Sequence, residues 1–174
     1  MHVHASTPFA NFAPVAAPLG GRESLVVTVS AAGAGVAAAL VARVMGEGAR
    51  ALYCRPDREF PLQAAGLYYS VAHTADLTVL AIDLVPIGVD VEKVMPVDLV
   101  EDMAWALTPD ELSELAEGED PRLTEIWTAK EAAGKALGTG LAAQPRCFHT
   151  IPGELGAGGR LAHVALPWQG LMQG

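Results

Sequence analysis

The stretch "IGVDVEK" (residues 87–93) closes a long apolar run, "LTVLAIDLVPIGVDVE" (77–92), and sets two carboxylates, Asp90 and Glu92, either side of one valine. The run reads as strand. Strand side chains alternate between faces, so Asp90 and Glu92 point one way while Val89 and Val91 point into a core. Like charges held side by side repel unless one is protonated, both are well solvated, or a cation lies between them. A solvated strand end and a metal site both meet that condition, and the pair alone does not choose between them.

Outward from this strand the pattern is mixed α/β. "LVVTVS" (25–30) reads as a strand and "AGVAAALVARVM" (34–45) as a helix ended by Gly46 and Gly48. "ARALYCR" (49–55) reads as a second strand and "REFPLQAAG" (58–66) as a loop. "LYYSVA" (67–72) leads through "HTAD" into "LTVLAIDLV" (77–85) as a hairpin-like pair. Three helices follow: "PVDLVEDMAWAL" (96–107), "TPDELSELAEG" (108–118) with Thr108 as N-cap and Pro109 in its first turn, and "PRLTEIWTAKEAAGKAL" (121–137) closed by Gly138. "CFHTI" (147–151) and "RLAHVAL" (160–166) return as strands. No fixed-period repeat is visible, although the order of elements permits two similar lobes.

Composition excludes several classes. At 174 residues, 51% hydrophobic and 18% charged, the chain suits one folded domain, or two small lobes sharing one core, and no independent second domain is expected. Charged residues interrupt every apolar run before it could span a bilayer, and "MHVHASTPFANFAPVAAPLGG" (1–21) lacks the regions of a signal peptide. No membrane association and a cytoplasmic location are the expectations. Cys54 and Cys147 lie in no metal or redox motif and are expected as buried thiols without a disulfide. A net charge of −9 argues against nucleic acid as a partner. Residues 98–120 hold nine of the twenty acids and no Lys or Arg, the pattern of a solvated helical face.

In "WTAKEAAGKALGTGL" (127–141), Trp127, Lys130, Glu131 and Lys135 follow helical spacing that puts them on one side. Alone, Glu131 and Lys135 are an ordinary i,i+4 pair, worth about 0.2–0.5 kcal/mol. Near Asp90 and Glu92, however, a third carboxylate would complete an oxygen set suited to Mg²⁺. The lysines would then meet a phosphate as point charges. The chemistry so implied is Mg²⁺-dependent transfer on a phosphate-bearing substrate.

"YYSVAHTADLTVLAID", "GVDVEK" and "WTAKEAAGKALGTGL", in that order, resemble the 4′-phosphopantetheinyl transferases of the surfactin-synthetase-activating type over roughly residues 66–150. The family pattern is a Ser-His strand end, then G-[IV]-D-[IV]-E, then W-[ST]-x-K-E-A-x-x-K. The resemblance implies an α+β, pseudo-dimeric fold of two similar lobes, each with a small antiparallel sheet and helices, in a monomer. Residues 1–24 would be a partly flexible N-terminal extension, 25–86 the N-terminal lobe and 87–174 the C-terminal lobe with the metal motifs.

The same resemblance implies that Asp90, Glu92 and Glu131 hold Mg²⁺ on the pyrophosphate of coenzyme A. Glu131 would also be the base for a serine of an apo acyl or peptidyl carrier protein. Lys135 and Lys130 would neutralise the phosphates, and His73 would contact a phosphate of the nucleotide half. Glu111 matches an acidic position of the family's F-[ST]-x-x-E element, with Leu107 in place of the phenylalanine. The family's G-K-P element is not recognisable unless "CRPDREFP" (54–61) stands in for it, with Arg55 and Arg58 as the cofactor-binding cations. Attack of the serine on the β-phosphate would release adenosine 3′,5′-bisphosphate.

Two other readings compete. Gly33 to Ala38 form a G-x-G-x-x-A pattern between a strand and a helix, with Asp57 about twenty residues on, as in a dinucleotide-binding oxidoreductase. A non-catalytic carrier-protein-binding relic of the transferase fold is the other.

Overall fold

The computed structural model describes residues 24–31, 33–116, 120–140, 145–147 and 161–165. Its elements run β1 (Leu25–Val29), α1 (Ala34–Met45), α2 (Glu47–Tyr53), β2 (Leu62–Ala64), β3 (Leu67–His73), β4 (Thr78–Asp83), β5 (Ile87–Val91), α3 (Val100–Met103), α4 (Pro109–Ala116), α5 (Asp120–Leu137) and β6 (Leu161–Ala165). The first sheet is antiparallel, in the order β1-β4-β3-β2, and β5 pairs antiparallel with β6.

Alternation explains how the sheet is buried on both faces. On one face Val27, Val29, Tyr69, Val71, Leu80 and Ile82 pack with Ala37, Leu40 and Val41 of α1 and Ala49 of α2. On the other, Val26, Ala72, Val79 and Ala81 meet Ile87, Val89 and Val91 of β5. A strand covered on both sides needs apolar residues at consecutive positions, which is why 79–82 of β4 read as an unbroken apolar run. Tyr69 ties α2 down by donating its hydroxyl to Ala49 O at 2.7 Å, and burial pushes its pKa up to about 12.

Several expectations need correction. "ARALYCR" is not a strand, since α2 occupies Glu47–Tyr53. Gly46, with φ +92, turns the chain out of α1, and the good helix formers that follow resume a helix instead of extending. Gly48 therefore lies inside a helix. Cys54, at the end of α2, is an exposed free thiol and not a buried one. The 96–107 helix is broken into α3 between 3-10 turns at Val97–Leu99 and Ala104–Ala106. "CFHTI" starts within a 3-10 turn, Pro145–Cys147, and its residues 148–151 lie outside the described residues, as do 1–23 of the N-terminal extension.

The dinucleotide reading fails on topology. β1 pairs antiparallel with β4, α1 runs directly into α2, and every strand pair among the described residues is antiparallel. The fingerprint needs a parallel βαβ unit. The α+β expectation is met; the described strands divide four to two between the sheets.

The end of α5 is fixed by a close approach. Gly138 has φ +76, and a Cβ there would lie 2.3 Å from Phe60 O, so the helix terminus abuts the loop that precedes β2.

Candidate active site

Helix α5 lies directly on β5 because Gly88 has no side chain. A Cβ on Gly88 would sit 1.8 Å from Ala132 O and 2.8 Å from Ala136 N, so the two backbones touch. Alternation puts Asp90 and Glu92 on the same side as Gly88, towards α5, while Val89 and Val91 are buried against the first sheet. Ser70 adds a tether that the sequence reading missed: its Oγ accepts a hydrogen bond from Val89 N at 3.0 Å, one residue from Asp90. The signal was there, as Ser70 is the polar residue in an otherwise apolar stretch of β3.

Two of the expected residues, Asp90 and Lys135, form an ion pair on this side, and the Glu92 and Glu131 carboxyls lie within reach of its charges. Lys135 Nζ donates to Asp90 Oδ1 at 2.7 Å and to Val89 O at 3.0 Å. Asp90 is 6% exposed, and its Oδ2 is buried without a hydrogen-bond partner. Burial first, and then the charge of Asp90, push the Glu92 and Glu131 carboxyls above the usual glutamate range, with Lys135 opposing. Glu92 adds to the rise at Glu131.

The pH consequence follows from the direction. A carboxyl raised in the folded state contributes stability that is complete below the unfolded value, about pH 4.3, and is lost as pH rises through the folded value. In the metal-free protein, Glu131→Gln is therefore expected to flatten the decline of stability above that pH. Its urea midpoint at pH 8 should equal or exceed that of the wild type; a lower midpoint would contradict the assignment.

A hard divalent cation fits these donors in chemistry, because all are carboxylate oxygens and Asp90 Oδ2 is buried without a partner. Among the described residues, no three His, Cys, Asp or Glu side chains converge closely enough to hold a metal ion as they stand. The cation now on Asp90 is the Lys135 ammonium.

Lys130 goes elsewhere, against the expectation that it shares a side with Glu131 and Lys135. It is 0% exposed, its Nζ lies 2.9 Å from Glu111 Oε2, and it donates to Pro145 O at 2.6 Å. Successive helical residues are about 100° apart, so when Glu131 faces β5 its neighbour turns into the layer formed with α4. Glu111 is also 0% exposed and completes a capping box: Thr108 N donates to its Oε2 at 2.8 Å, and Glu111 N donates to Thr108 Oγ1 at 3.2 Å. The Thr-x-x-Glu spacing announces such a box in sequence. The neighbouring Asp98, Glu101, Asp102, Asp110 and Glu114 are exposed, as the acid-rich face predicts. Trp127 packs edge-on against Trp105, with ring centroids 6.3 Å apart.

The remaining expected residues line other parts of the surface. His73 ends β3 and is exposed. Arg55 pairs with Asp57 at 2.8 Å, and the Arg58 guanidinium lies over the Tyr53 and Phe60 rings at 5.4 and 5.8 Å. These arginines border a pocket with Phe60, Pro61 and Gln63, on the loop that meets Gly138.

Residues 86–162 match the sequence model of the 4'-phosphopantetheinyl transferase superfamily. The chain is also 30% identical over 82 residues to the 4'-phosphopantetheinyl transferase psf-1 of Bacillus pumilus, a match covering 45% of this chain and 35% of that protein. The chain thus spans about a third of the length of the curated relative it matches. No helix among the described residues is long and apolar enough to cross a membrane.

Proposed function

We propose that this chain, which over residues 86–162 is similar to the 4'-phosphopantetheinyl transferases, transfers 4′-phosphopantetheine from coenzyme A to a serine of an apo acyl or peptidyl carrier protein. The observation that carries the reading is the Asp90–Lys135 ion pair between β5 and α5, with one oxygen of Asp90 buried and unpartnered and the Glu92 and Glu131 carboxyls under the influence of its charge. The reading brings with it the two-lobed arrangement, with residues 25–86 and 87–174 as the lobes, a monomeric state and a cytoplasmic setting.

Asp90, Glu92 and Glu131 are the residues that would hold Mg²⁺, which would supply positive charge to the diphosphate of coenzyme A. Lys135 presents a cation beside the same group, where a phosphate oxygen would accept its hydrogen bond. Glu131, whose basicity is raised by burial and by Asp90, takes the proton of the carrier serine hydroxyl. The serine oxygen bonds to the β-phosphorus, the bond from that phosphorus to the bridging oxygen breaks, and adenosine 3′,5′-bisphosphate leaves with the electron pair. Such a transfer needs in-line placement and charge neutralisation more than covalent catalysis. Arg55, Arg58 and His73 are assigned to the nucleotide half. Lys130, held by Glu111, supports the helix from behind.

The test is to incubate the protein with apo carrier protein, coenzyme A and Mg²⁺ and to look for phosphopantetheine addition by intact mass. Asp90→Asn and Glu131→Gln are each expected to lower kcat by about 10²-fold or more while leaving the protein folded. Chelation of divalent cations should stop the wild-type reaction. Turnover by either variant within a few-fold of wild type would overturn the site assignment, and no addition to any carrier protein would overturn the function.

A further inference from the structure

Lys135 is engaged in a contact that the proposed reading does not use. That reading gives its ammonium to a phosphate, yet here it holds Asp90 Oδ1 at 2.7 Å and Val89 O at 3.0 Å, with the lysine side chain 17% and the aspartate side chain 9% exposed. Asp90 Oδ2 is left without a partner. The three carboxylates act on one another electrostatically without converging on a point. A cation is one of the ways in which a cluster of like charges is relieved, and a flexible lysine stem provides one that is mobile. Two cations drawn to one carboxylate repel each other, so a divalent ion approaching Asp90 competes with the ammonium.

We infer that Lys135 is an exchangeable counter-cation: it occupies Asp90 until a divalent cation arrives, then passes to the diphosphate ligand, so that metal and diphosphate bind as a coupled pair. This rests on the proposed transferase site. A metal ion at Asp90, whose Oδ2 is open, repels the ammonium held on Oδ1 and brings it no new anion in exchange. Metal together with a diphosphate gives the ammonium a new anion. Coupling of this kind is reciprocal: the factor by which diphosphate strengthens metal binding equals the factor by which metal strengthens diphosphate binding.

The experiment measures binding of Mn²⁺ to the full chain from the electron paramagnetic resonance signal of unbound Mn²⁺, with and without methylenediphosphonate. The Mn²⁺–diphosphonate complex measured without protein is subtracted. Lys135→Met is expected to bind Mn²⁺ alone about tenfold tighter than wild type, and diphosphonate should strengthen its Mn²⁺ binding about tenfold less, within the usual range of coupling between sites. Lys135→Arg, which keeps the charge, should stay near wild type and provides a folded reference. As a readout without substitution, the ¹⁵Nζ signal of Lys135 in the wild-type chain should shift when Mg²⁺ and methylenediphosphonate are added together.

If Lys135→Met binds Mn²⁺ no tighter than wild type, or fails to fold while the wild-type ¹⁵Nζ signal stays put, the lysine is a fixed structural partner and the inference fails while the metal site stands. If wild type binds no Mn²⁺ even with diphosphonate, both the inference and the metal reading fail.

Discussion

Gly88→Ala is expected to destabilise the protein by about 3 kcal/mol or more, at or above the upper end of the range for overpacking a close-packed interface. The reason is that the added carbon meets backbone. It would lie 1.8 Å from Ala132 O and 2.7 Å from Ala132 C, and neither atom can rotate away as a side chain would. Strand β5 and helix α5 must separate, and the carboxylates they carry separate with them. Urea denaturation with a matched control checks this. Gly35 lies in α1, and a Cβ added there would meet no atom within 4 Å, so Gly35→Ala should be neutral or gain up to about 1 kcal/mol from helix propensity. Equal effects at the two glycines would mean that β5 and α5 do not touch as described.

Lys130→Met should cost about 3–5 kcal/mol, because it strands the Glu111 carboxylate at 0% exposure without its ammonium. The double variant Lys130→Met/Glu111→Gln should recover most of that loss. Its amide oxygen can still accept from Thr108 N and keep the capping box of α4. The pair of variants also separates two roles for Lys130. Under the proposed reading, if the ammonium serves only this buried pair, the folded double variant keeps a wild-type KM for coenzyme A. If it reaches a phosphate during turnover, KM rises even though stability has returned.

The alternation around Asp90 and Glu92 was legible in sequence because a strand's period is local: Val89 and Val91 face the core and the carboxylates face the other way. The three motifs also marked Asp90, Glu92, Glu131 and Lys135, of which the fold joins Asp90 and Lys135 in an ion pair and leaves Glu92 and Glu131 under its charge. The split between Lys130 and Lys135 was not legible. Both lysines follow helical spacing from Trp127, and which one turns inward depends on Glu111, nineteen positions upstream in another helix. The necessity of Gly88 was hidden for the same reason, since the atom it makes room for belongs to residue 132. Helix α2 was misread because its alternating apolar residues over a short span fit either period, and only the turn at Gly46 decides.

The abutment of Gly138 on Phe60 makes α5 a ruler. The seven residues from Glu131 to Gly138 rise about 10 Å along the axis, and the far end stops against the loop that carries Arg55 and Arg58. Under the proposed reading, a ligand held at both ends is gauged by a span of helix with no slack in it. One residue inserted into that span would add about 1.5 Å and turn everything beyond it by about 100°. Length and orientation at the two ends can therefore change only together, and a one-residue insertion on this helix should be tolerated far less well than one in the exposed loop at Ala65–Gly66.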